Sequence, residues 1–152
     1  METEIVKKQK KALDFFNQGY NCAQSVILTF TKELKTDRET LIKLSSGLGG
    51  GMGQLQKTCG AVSGGIIVIS ILTANATSDK NERNILVRER IQEFHKRFIN
   101  IHKHSDCIDL LGYDVKTPEG QKQIKDQDLF HKVCSPCVEN AVGILQEIFS
   151  LN

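Results

Sequence analysis

The stretch TCGAVSGGIIVISIL, residues 58–72, joins a cysteine to small residues and then to a long apolar run, with no charged residue. Its second half is rich in β-branched residues and could form a strand. A strand would lack a partner, because no other segment of the chain alternates convincingly between apolar and polar residues with a period of two. The pattern therefore predicts a buried helix over about residues 59–75.

At the start of this helix, the residues on one face have unusually small side chains or none. Gly60 and Gly64 are four residues apart, as are Ala61 and Gly65, so each pair stacks on one side of the helix. A face without side chains allows another helix or a ligand to approach the backbone closely. We interpret it as a packing surface that brings Cys59 near other cysteines, and we take Gly60, Ala61 and Gly64 as candidate cofactor-binding residues.

Helical periodicity extends over most of the chain. Asn21 is predicted to cap a helix from Cys22 to Lys35, and Thr117 followed by Pro118 is typical of a helix start. The other predicted segments are residues 4–18, a short helix opened by Thr36, residues 79–103 capped by Ser78, a short piece after Ser105, and a last helix opened by Ser135 and Pro136. We expect an all-α fold, a compact bundle of about six helices forming a single domain over residues 1–152.

Composition restricts the function further. The net charge is only +2, with both signs interspersed, so nucleic-acid binding has little electrostatic support. The longest uncharged apolar stretch, residues 61–76, is shorter than the roughly 20 residues of a membrane span, and the charged N-terminus lacks the features of a signal peptide. These features predict a cytoplasmic protein, whose cysteines stay reduced unless they serve metal or redox chemistry.

All five cysteines are predicted within one turn of a helix start. They are Cys22, Cys59, Cys107, Cys134 and Cys137. Unpaired N–H groups and the helix dipole make such positions locally positive, which lowers the pKa of a thiol and would equally stabilise a metal–thiolate cluster. The alternative is that the cysteines are inert core residues. Their common placement favours a shared site, with Cys59 and Cys22 as its central pair.

The segments around these cysteines resemble the family named C_GCAxxG_C_C, a group described as redox-active. Its central motif stands here as CGAVSG, residues 59–64, and GYNCAQSV, SDCIDLLGYD and KVCSPCVENAVGILQEI resemble its other cysteine segments. The resemblance implies a small, mostly helical fold in which Cys22, Cys59, Cys107 and Cys134 are the catalytic residues. Cys137 departs from this four-cysteine pattern and forms a CxxC with Cys134, so either of the two could fill the fourth role.

The resemblance also implies cofactors and partners. Members are often encoded near transporter genes, and a related domain occurs in haem proteins that carry an iron–sulfur centre. An iron–sulfur cluster or another metal would then be bound by Cys22, Cys59, Cys107 and Cys134, whereas covalent haem is not expected because the chain has no CxxCH motif.

Three functions stay open at this point. The first is thiol–disulfide redox or electron transfer with an unknown redox partner, for which CSPC at residues 134–137 is suited. The second is a metal or iron–sulfur site with four cysteine ligands, although the long separations between cysteines do not match a compact zinc finger. The third is a non-enzymatic binding module associated with a transporter, in a monomer or an oligomer. His102, His104 and His131 lie near cysteines in the chain and are interpreted as surface or helix-end residues, with metal ligands as the less favoured alternative.

Overall fold

The computed structural model describes residues 1–150 and confirms the all-α class. Within these residues it contains nine α-helices, one π-helical segment and no strand. The elements are α1 (Glu4–Asn17), α2 (Cys22–Thr29), α3 (Thr31–Leu34), α4 (Arg38–Ser45), α5 (Gly60–Ala76), α6 (Lys80–His102), α7 (Cys107–Leu111), α8 (Pro118–Asp126), the π-helical segment (Phe130–Cys134) and α9 (Ser135–Phe149). None of the helices in this described part is long and apolar enough to cross a membrane.

The helices outnumber the predicted six or so, and one of the additional helices arises because a longer predicted helix is divided in two. The predicted helix from Cys22 to Lys35 is interrupted at Phe30, where φ −105° and ψ 16° leave the helical conformation. The short α3 follows. It is terminated by the next residue, Lys35, which has a left-handed φ of 53°. Four residues form this helix, so it depends on packing rather than on its own propensity.

Two of the predicted helix caps are correct. Asn21 accepts a hydrogen bond from the Gln24 amide, and the Gln24 side chain accepts one from the Asn21 amide, which completes a capping box. Thr117 caps α8 in front of Pro118. The predicted caps Thr36 and Ser78 are wrong by one residue. An aspartate follows each of them and caps the helix instead, namely Asp37 and Asp79. The short helix expected after Ser105 begins after Asp106, whose side chain makes no capping hydrogen bond.

The core is built around α5, which packs against α2, α6 and α9. Its predicted bounds of about 59–75 agree with the observed Gly60–Ala76. The small residues produce a close approach to α2. A Cβ at Gly64 would lie 2.8 Å from the backbone oxygen of Ala23, and one at Gly60 would lie 2.9 Å from the Ala23 backbone nitrogen. The predicted packing role of this face is therefore confirmed.

A short antiparallel bridge aligns the starts of α5 and α7. It pairs Thr58 with Asp106. The Cys59 amide donates to the Ser105 carbonyl at 2.8 Å, and the Cys107 amide donates to the Lys57 carbonyl at 2.7 Å. The bridge therefore places Cys59 and Cys107 side by side, although they are far apart in sequence.

The glycine-rich connection before this bridge is a left-handed turn. Five consecutive residues have φ between 60° and 67°: Gly50, Gly51, Met52, Gly53 and Gln54. Side chains disfavour this conformation by about 1–2 kcal/mol per residue, which explains the glycines. Gly51 is further restricted, since a Cβ there would lie 2.6 Å from the Cα of Gln56.

Gln56 fixes this turn to the segment that follows α7. The residue is buried and has a left-handed φ of 56°. Its amide nitrogen donates to the Tyr113 carbonyl at 2.9 Å, and its amide oxygen accepts from the Val115 amide at 2.9 Å. Both ends of the Gln56 amide are thus used to hold the chain around one side of the cysteine site.

Candidate functional site

A cavity of about 620 Å³ lies where the starts of α2, α5 and α7 meet α8, the π-helical segment and α9. All five cysteines line it, so the structure brings the predicted site residues together. Most of the remaining wall is apolar and includes Phe16, Leu110, Leu111, Ile124, Phe130 and Val133. Thiols facing an apolar cavity of this size form a site that a small molecule could enter.

The three small residues proposed for cofactor binding have different positions. Gly60 lines the cavity. Gly64 instead faces Ala23 of α2, and Ala61 is completely buried. At Gly60 the missing side chain also brings two cysteines together, because a Cβ there would lie 2.9 Å from the Cβ of Cys22. Close packing therefore accounts for the motif at Gly64, and only Gly60 is available to a ligand.

Cys59 and Cys137 form a hydrogen-bonded pair. The hydrogen bond from Cys137 lowers the pKa of Cys59, and the backbone N–H groups of Ala61 and Val62 add to this effect against the opposing influence of burial. The same hydrogen bond, with burial and the nearby charge of Cys59, raises the pKa of Cys137. Cys59 is therefore the thiol of the pair that ionises first, and Cys137 is the one that keeps its proton.

Cys22 and Cys134 form a second pair. The hydrogen bond to Cys134 is the main reason that the pKa of Cys22 is raised well above its ordinary value, and burial adds to it. Cys22 also lies near Cys59, its expected partner in the central pair. The hydrogen bonds, however, join each of these two thiols to a cysteine of the 134–137 segment rather than to each other.

Cys107 belongs to neither pair. Burial, followed by the charges of Cys59 and Cys134, raises the pKa of Cys107 to about 11. A hydrogen bond with the Gln56 side chain acts in the opposite direction. Cys107 is thus a protonated neighbour of both pairs near neutral pH.

Cys134 and Cys137 do not lie at a free helix start, in contrast to the prediction. The π-helical segment continues directly into α9, and Cys134 (φ −70°, ψ −41°) and Ser135 (φ −59°, ψ −48°) both have helical conformations. Ser135 is therefore not a cap. Pro136 has no N–H for the carbonyl four residues earlier, and the widened turn before it lowers the cost of placing proline inside a continuous helix.

His102, which was interpreted as a surface or helix-end residue, contacts the cysteine site. It is the last residue of α6, and its Nδ1 lies 3.8 Å from the Sγ of Cys137. Its Nε2 lies 3.1 Å from the side-chain nitrogen of Asn140. Burial lowers the pKa of His102, so the ring is neutral at neutral pH. The sequence held no signal for this contact, because α6 and α9 meet only in the folded chain.

The arrangement does not fit a preformed metal site. Within residues 1–150, no three His, Cys, Asp or Glu side chains are placed to hold one metal ion. Of the predicted ligands, Cys22 and Cys134 are paired with each other. Cys59 is paired with Cys137, and Cys107 belongs to neither pair.

The different pKa directions predict selective alkylation of Cys59 by a small, uncharged reagent. Only the thiolate reacts, so the rate at each cysteine should rise with pH through that cysteine's pKa. We expect the midpoint for Cys59 to lie below the ordinary value of 9.0 and that for Cys107 to lie near 11. Mass spectrometry of peptides after timed iodoacetamide exposure across pH 6–11 would measure both. Equal midpoints for the two cysteines would contradict the assignment of Cys59 as the thiolate.

Comparison with known proteins gives one match. A family model described as "Putative redox-active protein (C_GCAxxG_C_C)" matches residues 20–148. No curated protein and no solved structure matches the chain. The matched range contains all five cysteines and His102, so it spans the entire cluster.

Proposed function

Since the chain belongs to the C_GCAxxG_C_C family, whose description assigns a redox role, we propose that it performs thiol–disulfide exchange through Cys59 and Cys137. The observation that carries this proposal is the hydrogen-bonded pair of these two thiols, in which the pKa of Cys59 is lowered and that of Cys137 is raised. Cys59 can attack a disulfide as a thiolate, and Cys137 lies next to it as a protonated thiol. This asymmetry is what a two-step exchange requires.

In the first step, the Cys59 thiolate attacks one sulfur of a substrate disulfide, RSSR. A mixed disulfide, Cys59–S–S–R, forms and one RS⁻ leaves. In the second step, Cys137 loses its proton and attacks the Cys59 sulfur. A Cys59–Cys137 disulfide forms and the second R group leaves as RSH. The protein is oxidised by two electrons, and the substrate is reduced to two thiols.

Access to Cys59 supports a substrate of low molecular mass. Cys59 is only 7% exposed and Cys137 only 1%, so a disulfide on the surface of a folded protein cannot reach them. Both thiols line the cavity of about 620 Å³, which is within the range of small-molecule sites. Its apolar wall favours a disulfide with apolar substituents over a highly charged one.

The second pair can return the first to its reduced form. Cys22 and Cys134 are half-buried, and Cys22 is a neighbour of Cys59 and Cys137. Exchange between the pairs would give a Cys22–Cys134 disulfide together with the two free thiols of Cys59 and Cys137, with no net gain or loss of electrons. The more exposed pair would then meet the redox partner, which we place in the cytoplasm, where free thiols persist.

The test is an oxidation carried out on protein purified without oxygen. Reduced protein is titrated with 2-hydroxyethyl disulfide, quenched with acid and mapped by mass spectrometry. We expect the first equivalent of disulfide to form the Cys59–Cys137 bond, and a second equivalent to be consumed as exchange passes the oxidation on to Cys22 and Cys134. Iron, zinc and sulfide are measured on the same sample. Stoichiometric iron and sulfide with visible absorption would replace the proposal with a cluster, and the absence of both metal and oxidisable pairs would favour a binding module.

A further inference from the structure

A chain of hydrogen-bonding groups ends at the Cys59–Cys137 pair. Asn140 lies one turn after Cys137 in α9, and its side-chain nitrogen is 3.1 Å from Nε2 of His102. Nδ1 of the same ring is 3.8 Å from the Cys137 sulfur. The ring is held in place by Phe98, with 4.6 Å between ring centroids. The imidazole therefore bridges Asn140 and Cys137.

The donor and acceptor properties of these groups set the direction of the hydrogen bonds between them. An amide nitrogen can only donate, so Nε2 of His102 must accept from Asn140. A neutral imidazole that accepts at Nε2 carries its proton on Nδ1, which faces Cys137. The Cys137 thiol in turn donates to Cys59. Asn140, His102 and Cys137 thus all donate towards Cys59.

We propose that Asn140 and His102 make Cys137 the resolving thiol, by holding the Nδ1–H of His102 against its sulfur. The inference rests on the proposed function and assigns His102 and Asn140 as positioning residues for its second step. No other cysteine has an imidazole donor next to its sulfur within residues 1–150. The contact distinguishes Cys137 from Cys22 and Cys107, which also lie near the reacting sulfur of Cys59.

The contribution of His102 arises when Cys59 is part of the mixed disulfide. Cys59 is then no longer a thiolate, so it no longer stabilises the proton on Cys137. That proton passes to the leaving RS⁻, and negative charge develops on the Cys137 sulfur as it attacks. The Nδ1–H of His102 donates to this charge, and a hydrogen bond to a charged group is stronger than one to a neutral group. His102 keeps its proton throughout the step.

The surroundings of His102 contain few groups that could disturb this role. Burial is the cause of its lowered pKa. Cys137 is the titratable group that faces it from α9, while Asn140 and Phe98 carry no charge. The ring is therefore neutral at neutral pH.

Three substitutions test the direction of these hydrogen bonds. His102→Leu removes the donor, and His102→Asn can return an amide N–H to the position of Nδ1. Asn140→Asp reverses the direction of the hydrogen bonds. A carboxylate accepts from Nε2–H of His102 and leaves Nδ1 of the same ring as an acceptor. His104→Asn is the matched control, since His104 is exposed on the same part of the chain. Each reduced protein is mixed with 2-hydroxyethyl disulfide, quenched with acid at timed intervals and analysed by mass spectrometry.

We expect the Cys59 mixed disulfide to decay about tenfold more slowly in His102→Leu and Asn140→Asp, because the bond to developing charge is lost. His102→Asn and His104→Asn should decay as the wild type does. Nitrogen chemical shifts of His102 should place the proton on Nδ1 in the wild type and on Nε2 in Asn140→Asp. Circular dichroism confirms folding, and the nearly isosteric Asn140→Asp carries the test if His102→Leu does not fold.

The outcomes separate this inference from the proposed function. If the wild type forms no Cys59–Cys137 disulfide, the proposed function fails. If the wild type forms it and both His102→Leu and Asn140→Asp resolve at the wild-type rate, only the role of the His102–Asn140 pair is overturned. A wild-type proton on Nε2 of His102 would overturn it as well.

Discussion

Cys59→Ser should form no mixed disulfide at the cavity, whereas Cys137→Ser should form one and accumulate it. The first variant lacks the nucleophile, so oxidation by 2-hydroxyethyl disulfide should fall to the uncatalysed background. The second retains Cys59 but lacks the thiol that releases the bound substrate half. Acid-quenched mass spectrometry would show about one bound 2-hydroxyethylthio group in Cys137→Ser and none on the remaining cysteines in Cys59→Ser.

Cys107→Ser provides the matched comparison. Cys107 is 8% exposed and Cys59 is 7% exposed, so both substitutions replace a similarly buried thiol by a hydroxyl. Cys107 is outside both hydrogen-bonded pairs, and we expect the Cys59–Cys137 disulfide to form at close to the wild-type rate. Loss of that disulfide in Cys107→Ser, with the fold intact, would move Cys107 into the reacting set and refute the two-pair arrangement.

Gly64→Ala should lower the free energy of unfolding by about 2 kcal/mol. The added Cβ would lie 2.8 Å from the backbone oxygen of Ala23 and 2.9 Å from its Cα, and neither atom can move without displacing α2. Overpacking costs about 1–3 kcal/mol, which exceeds the helix-propensity gain of up to about 1 kcal/mol. Urea unfolding followed by circular dichroism measures the change. Because Ala23 adjoins Cys22, we also expect slower exchange between the two cysteine pairs.

Gly143→Ala is the control for helix propensity. Gly143 lies inside α9, and a Cβ there would meet the side-chain nitrogen of Gln9 at 2.8 Å. That side chain is flexible and can rotate away, at the cost of its bond to the Glu139 carbonyl. We expect a change within about 0.5 kcal/mol, since the propensity gain offsets this loss. If Gly64→Ala were as stable as Gly143→Ala, close packing of α2 on α5 would not explain the small residues.

The bounds of α5 were predictable from the sequence because they depend on local pattern. A shared cysteine site was expected from placement at helix starts, which holds for Cys22, Cys59 and Cys107 but not for Cys134 and Cys137. The charge-free run after Cys59 is long enough to require burial, and the glycine spacing is that of one helix face. The caps at Asn21 and Thr117 also depend only on nearby residues. The two displaced caps, predicted at Thr36 and Ser78, have the same physical cause, a carboxylate one residue closer to the helix than the predicted hydroxyl.

The pairing of the thiols was not predictable in this way. It depends on the π-helical segment, whose wide turn sets where Cys134 and Cys137 face, and on the helical conformation of Ser135. A Ser–Pro sequence normally indicates a helix start, so local rules placed a boundary inside a continuous helix. The contact between His102 and Cys137 joins α6 to α9, and no local pattern describes it.

The separation in sequence within each pair has a consequence for chain entropy. Cys22 and Cys134, like Cys59 and Cys137, come from distant parts of the chain. A bond between either pair would close a long loop, and in the loop-closure model such a cross-link stabilises a protein by about 4–5 kcal/mol by restricting the unfolded chain. The oxidised protein would therefore be more stable to heat than the reduced one. Its stability would then depend on the redox state of its surroundings.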